Sequence, residues 1–168
     1  DLMVEPKKYA IEDIILETQY ENLHIAPGSI ELAEFESRVA SEIGRENRLK
    51  KGLSSVYSYY DYIVIDTPPS LGLLSINALN FSNEVFITLQ AHPFAFDGLN
   101  LLLNTIQLIR DEINPKLVVG GVIVTMFDSR TKISREIYEK VLSNENVGEK
   151  LFKTSIKQNI KIAEATKF

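Results

Sequence analysis

The chain has 168 residues, 45% of them hydrophobic, enough for one core of ordinary size. It has no cysteine, which excludes a disulfide scaffold, thiolate-held zinc and a cysteine-ligated iron–sulfur cluster, and no apolar run approaches the roughly 18 residues of a membrane-spanning helix. The net charge of −5 hides an asymmetry, because residues 1–127 carry 17 acidic and 9 basic side chains whereas residues 128–168 carry 6 and 9. A basic end on an acidic body is a candidate polyanion-facing surface, and equally an ordinary solvated one.

The chain opens on Asp1-Leu2-Met3, with no initiator methionine and no signal-peptide pattern. This opening is expected of a piece whose start lies upstream. Leu23–Ala26 is predicted as a short strand closed by Pro27-Gly28. Ser29 is expected to cap a helix whose stripe runs through Leu32, Phe35, Val39 and Ile43. A basic helical stretch follows from Arg45 towards Val56. Tyr62–Asp66 is predicted as a buried strand that ends on a carboxylate and is stopped by Pro68-Pro69. Ser70 is the expected cap of the next helix, with Leu71, Leu74, Ala78 and Leu79 on its apolar face.

Val85–Leu89 is the next strand. Asp97-Gly98 opens a long amphipathic helix that Pro115 ends. Leu117–Met126 is a buried strand interrupted by Gly120-Gly121, where a neighbour is expected to approach closely. Ser134 is the expected cap of a helix holding Ile137, Val141 and Leu142. Leu151-Phe152 is a last short strand candidate, and Ile156–Phe168 is expected as a loop and an unfinished helix. Strands alternating with helices argue for βαβ units and a mostly parallel sheet.

Three strand-end loops carry polar side chains, the usual layout of a ligand site in an open α/β sheet. The first holds Asp66, Thr67, Pro68 and Pro69. A strand-end carboxylate there is suited to Mg²⁺ beside phosphates, and it is equally a common turn cap. The second runs Gln90–Gly98 around His92. A lone loop histidine is an ordinary structural feature, and so is His24. The third is Met126-Phe127-Asp128-Ser129-Arg130-Thr131. Arg130, Lys132 and Arg135, with Lys153, Lys157 and Lys161 further on, form a candidate phosphate-contacting patch interleaved with Glu136 and Glu139. No aromatic residue is interleaved for base stacking, so any nucleic-acid binding is expected to be backbone-directed. No Ser/His/Asp arrangement or helical histidine pair supports a hydrolase triad or a zinc site. The phosphate-loop motif Gly-x-x-x-x-Gly-Lys-Ser/Thr does not occur in these residues.

Six stretches, in order, resemble the ParA/Soj family of partition ATPases, within the deviant phosphate-loop class that includes MinD. They are IAPGSIELAEFE, GRENRLKKGL, YDYIVIDTPPSLGLLSINAL, GLNLLLNTIQLIRDEINP, GVIVTMFDSRTKISREIYEKV and LFKTSIKQNIKIAEA. IDTPPSLG and TMFDSRT favour ParA/Soj over MinD and over bacterial tyrosine kinases. The resemblance implies a Rossmann-like phosphate-loop NTPase sheet with helices on both faces. It implies ATP and Mg²⁺ as cofactors, slow hydrolysis and an ATP-bound homodimer. It further implies non-specific DNA binding, stimulation by a ParB-type centromere-binding partner, and a cytoplasmic, nucleoid-associated protein with no membrane partner.

By motif, the resemblance makes Asp66 the Walker B aspartate, holding Mg²⁺ through water, and Thr67, Pro68 and Pro69 the switch behind it. It places Met126, Phe127 and Asp128 near the adenine and makes Lys157 and Lys161 the DNA-binding candidates of the Ile156–Ala165 motif. Lysine there meets phosphate as a point charge without the bidentate fork of arginine. The family's N-terminal strand, its lysine-bearing phosphate loop and its first switch are expected before Asp1, and its closing helix beyond Phe168. Residues 1–168 are thus expected to form one incomplete domain that is inactive as an ATPase by itself. A non-catalytic DNA- or partner-binding module and a MinD-like positioning ATPase are the alternatives.

Overall fold

The computed structural model describes residues 2–92 and 95–165, in two compact units, residues 1–82 and 83–168. Pro93 and Phe94 of the second strand-end loop, and residues 166–168 of the last predicted helix, lie outside the described residues. The fold class is the α/β class expected from the alternation of elements, with a parallel strand pair and helices.

In the first unit, β1 (Leu16–Glu17) pairs antiparallel with β2 (His24–Ile25). The expected strand Leu23–Ala26 is therefore shorter, and its partner is local. A 3-10 turn over Ile30–Glu34 leads into α1 (Phe35–Val39). Phe35 and Val39 are fully buried, as their helical spacing predicts, but Ile43 is fully exposed because the helix has ended four residues before it. Ser29 does not cap the backbone; its hydroxyl bonds the Glu31 carboxylate instead. The basic stretch forms a 3-10 turn, Arg45–Asn47, and α2 (Arg48–Gly52). The unit closes with α3 (Leu73–Phe81).

Two apolar clusters hold this unit. Leu2, Ile11, Leu53 and Val56 form one. Met3, Phe35 and Val39 form the other, packed against Leu32, Leu49, Leu73 and Leu74. The expected strand Tyr62–Asp66 is not in a ladder. Its residues alternate like a strand, with Ile63 and Ile65 half-buried but Tyr62 89% and Val64 93% exposed. The β-branched pattern gives the extended conformation, but no strand among the described residues pairs with it.

The second unit is a βαβ unit with an extension. β3 (Glu84–Gln90) and β4 (Val118–Thr125) are parallel and in register from Glu84↔Val118 to Gln90↔Thr125, with one irregularity at Val85/Phe86. The crossover is α4 (Ala95–Glu112), whose Leu99, Ile106 and Ile109 are buried at helical spacing. From β4 the chain passes through α5 (Lys132–Leu142) and returns along the free edge of β4 by parallel bridges Val122↔Leu151 and Phe127↔Lys157. A Cβ at Gly121 would collide with the Phe152 ring, which confirms the close approach expected at Gly120-Gly121. The last element is α6 (Ile160–Glu164), whose first turn is capped by the Asn159 side chain.

Candidate functional site

Asp66 ends the extended segment on the same side as Tyr62 and Val64 and is exposed. Among the described residues, no hydrogen bond or ion pair engages its carboxylate. Thr67, Pro68 and Pro69 follow, also exposed. The two prolines contribute no N–H and fix φ, so this stretch leaves the extended segment as a stiff loop.

The loop is tied down at its far end by groups that the sequence reading did not identify. Ser70 is not the helix cap; its carbonyl accepts from the Ser75 hydroxyl at 2.6 Å. The helix starts at Leu73 instead, and the Leu73 N–H donates to Glu36 Oε1 of α1 at 2.6 Å. Further along α3, the fully buried Asn77 donates to the Arg45 and Leu73 carbonyls and accepts from the Leu49 N–H. Asn80 donates to the Glu46 carbonyl and to Asn47 Oδ1. These side chains read as unremarkable polar residues in the sequence, because their partners lie about 30 positions away in Arg45–Leu49.

In the second unit, the ends of β3 and β4 lie on one sheet edge, as parallel strands require, and the Ala91 N–H bonds the Thr125 carbonyl at 3.1 Å. Met126 leaves β4 in the left-handed region, with φ 51°, and is 54% exposed. A non-glycine residue there stores about 1–2 kcal/mol of backbone strain. The Phe127 ring lies 5.9 Å from that of Tyr138, and its N–H bonds the Ile156 carbonyl at 3.0 Å.

Asp128 is gripped by Arg130. Nε donates to Oδ1 at 3.0 Å, Nη2 to Oδ2 at 2.8 Å, and the Arg130 backbone N–H to Oδ1 at 3.0 Å. The guanidinium, and then that backbone N–H, hold the Asp128 carboxyl down at about 2. Thr131, rather than Ser134, caps α5: its Oγ1 accepts from the Ser134 N–H. Ser134 is buried in the first turn and shares a hydrogen bond with Thr131.

Of the predicted cations, Arg130 spends its fork on Asp128, although its side chain stays 88% exposed. Lys132 pairs across one turn with Glu136 at 3.4 Å. Arg135, Lys157 and Lys161 are exposed. The Phe127↔Lys157 bridge brings Lys157 against the Met126–Asp128 loop, and Lys161 lies in α6. Asp66–Pro69 belong to the first unit, and Met126–Asp128 with all six cations, the exposed Lys153 included, to the second.

Comparisons with known proteins bear on the family and the fold. A family model described as an AAA domain matches residues 1–119. The sporulation initiation inhibitor protein Soj of Bacillus subtilis is 44% identical over 153 residues, 91% of this chain and 60% of that protein. The chromosome-partitioning ATPase Soj of Treponema pallidum is 42% identical over 158 residues, 94% of this chain and 62% of its own length. The chain thus spans about three-fifths of the length of these curated relatives. Among solved structures, cobyrinic acid a,c-diamide synthase of Mycobacterium smegmatis with bound ADP and magnesium superposes with a TM-score of 0.83 at 28% identity, covering 95% of this chain and 63% of that one.

Proposed function

The chain belongs to the ParA/Soj family of partitioning ATPases, and from that premise we propose that it is the Asp66-bearing, DNA-facing portion of an ATPase that segregates DNA. The observation that carries this reading is Asp66: an exposed carboxylate at the end of an extended segment, leading straight into the rigid Thr67-Pro68-Pro69.

The donor set fits magnesium only in the company of nucleotide. Among the described residues, no group of three or more His, Asp or Glu gathers to hold a metal. Mg²⁺, however, commonly keeps several waters and takes one or two carboxylates plus phosphate oxygens. When bound, it neutralises charge on the β- and γ-phosphates. Asp66 would hold the ion through water. Thr67, Pro68 and Pro69 would sense the phosphate end as a stiff unit. Met126, Phe127 and Asp128 would meet the adenine, their loop kept in shape by the Asp128–Arg130 fork. The backbone of residues 62–66 has no hydrogen-bonded partner among the described residues, which supports a ladder between this segment and a phosphate-loop strand supplied from outside these residues.

DNA would meet Lys132, Arg135, Lys157 and Lys161, with Arg130 at the margin, through phosphates and without sequence preference. The reading includes an ATP-bound homodimer, a ParB-type partner that stimulates turnover, and a place in the cytoplasm at the nucleoid. Among the described residues, no helix is long and apolar enough to cross a membrane.

The test is DNA retention by the protein expressed from its whole reading frame, with and without Mg·ATP. Retention should require Mg·ATP in the wild type and be lost in Asp66→Ala. Equal retention without nucleotide, unaffected by Asp66→Ala, would replace this reading with that of a non-catalytic DNA-binding module.

A further inference from the structure

We infer that Glu36 is a positioning residue for the loop that follows Asp66: its carboxylate latches the N-terminus of α3 and so fixes the point where that loop is anchored. The task given to the loop rests on the function proposed above. The latch itself rests only on geometry.

Three observations build it. First, α1 is held against α3 by apolar packing, with Phe35 and Val39 fully buried beside Leu73 and Leu74. This packing brings the exposed face of α1, where Glu36 lies, up to the start of α3. Second, Glu36 Oε1 accepts the Leu73 N–H at 2.6 Å, and no side chain of the loop itself caps the helix. An anion is favoured there, because the first N–H groups of a helix are unpaired and carry partial positive charge. Third, position 72 is glycine. A Cβ there would run into the Glu36 carboxylate, so this residue keeps the latch open to its bolt.

The consequence for the loop is mechanical. Between Asp66 and Leu73 stand two prolines with restricted φ, so little freedom remains once the far end is pinned. The Ser75 hydroxyl on the Ser70 carbonyl shortens the free stretch further. Releasing Glu36 would therefore free the Asp66–Leu71 loop without touching Asp66. Glu36 contacts no reacting group; it acts through α3.

Amide hydrogen exchange of Leu73 in nucleotide-free protein tests the latch. Glu36→Ala should speed exchange at Leu73 about fivefold, the effect of losing an N-cap of ordinary strength. Gly72→Ala should do the same by displacing the carboxylate. The double variant should exchange no faster than either single one, since both remove one contact. Glu36→Gln, which keeps an acceptor oxygen, should restore most of the protection. Unchanged exchange in Glu36→Ala, additive effects in the double variant, or a rise at Leu79 as large as at Leu73 would each overturn the latch.

The role in turnover is read separately, in the whole-frame protein with Mg·ATP. Glu36→Ala should lower kcat about tenfold with KM little changed, as expected for a misplaced loop. An unchanged kcat would remove the positioning role. If the wild type does not respond to nucleotide while the Leu73 signature holds, the proposed function fails and the latch stands.

Discussion

Asp128 and Arg130 show how two residues can set a local charge state. Each is an ordinary surface residue by composition, yet one guanidinium and one backbone N–H converge on a single carboxylate. Because the folded carboxyl is depressed to about 2, the interaction stabilises the fold above the ordinary aspartate range and is lost as pH falls through the folded value. The Asp128 carboxyl should therefore titrate near 2 by NMR, and Arg130→Ala should return it towards about 3.9, the value of an unperturbed aspartate. A midpoint near 4 in the wild type would show that the fork is open in solution. The same pairing explains why Arg130 is a weaker DNA candidate than its neighbours. The spacing in the sequence showed a cation two positions from an acid, but not that its Nε and one Nη were already bonded to that acid.

At the scale of elements, legibility followed the range of the interactions. β3, α4, β4 and α5 were readable because hydrophobic periodicity and local breakers define them, and their cores are among the residues that periodicity picks out, although Leu142, expected beside Ile137 and Val141, is half exposed at the end of α5. The caps were misread where the true cap is remote or adjacent. Leu73 is capped from α1, across 37 positions, and Thr131 rather than Ser134 takes the α5 cap. Tyr62–Asp66 has strand chemistry without a ladder, since sequence specifies conformation locally but pairing only through a partner. The asparagines of α3 were invisible for the same reason. Asn77 uses both ends of its amide, whereas Asn80 Oδ1 has no partner. Asn77→Ala should thus destabilise more than Asn80→Ala, by about 1–3 kcal/mol for each buried backbone group left stranded. Urea denaturation monitored by circular dichroism decides this, and equal midpoints for the two variants would show that the second end of the Asn77 amide adds nothing.

For the molecule as a whole, charge and chemistry divide along the chain. The carboxylate end of the proposed site lies in an acidic stretch, and the proposed DNA face in the basic last quarter. Binding to DNA should fall steeply with salt, and Lys157→Glu with Lys161→Glu should weaken it and flatten the salt slope by about 2 in log–log terms. An unchanged slope would move the DNA face elsewhere. Residues 1–168 taken by themselves should show no ATP turnover, because their sequence contains no phosphate-loop motif and phosphoryl transfer depends on such positioned amides and lysines. The family was legible from six short stretches in order, none of which specifies it singly. A complete nucleotide site was not legible, since the phosphate-loop motif does not occur in these residues.

The most direct test of the central claim is the ATPase rate of the whole-frame protein with Mg²⁺ and DNA, compared between wild type and Asp66→Asn. Slow turnover in the wild type that disappears in Asp66→Asn is the predicted result. Turnover that survives Asp66→Asn unchanged would contradict it.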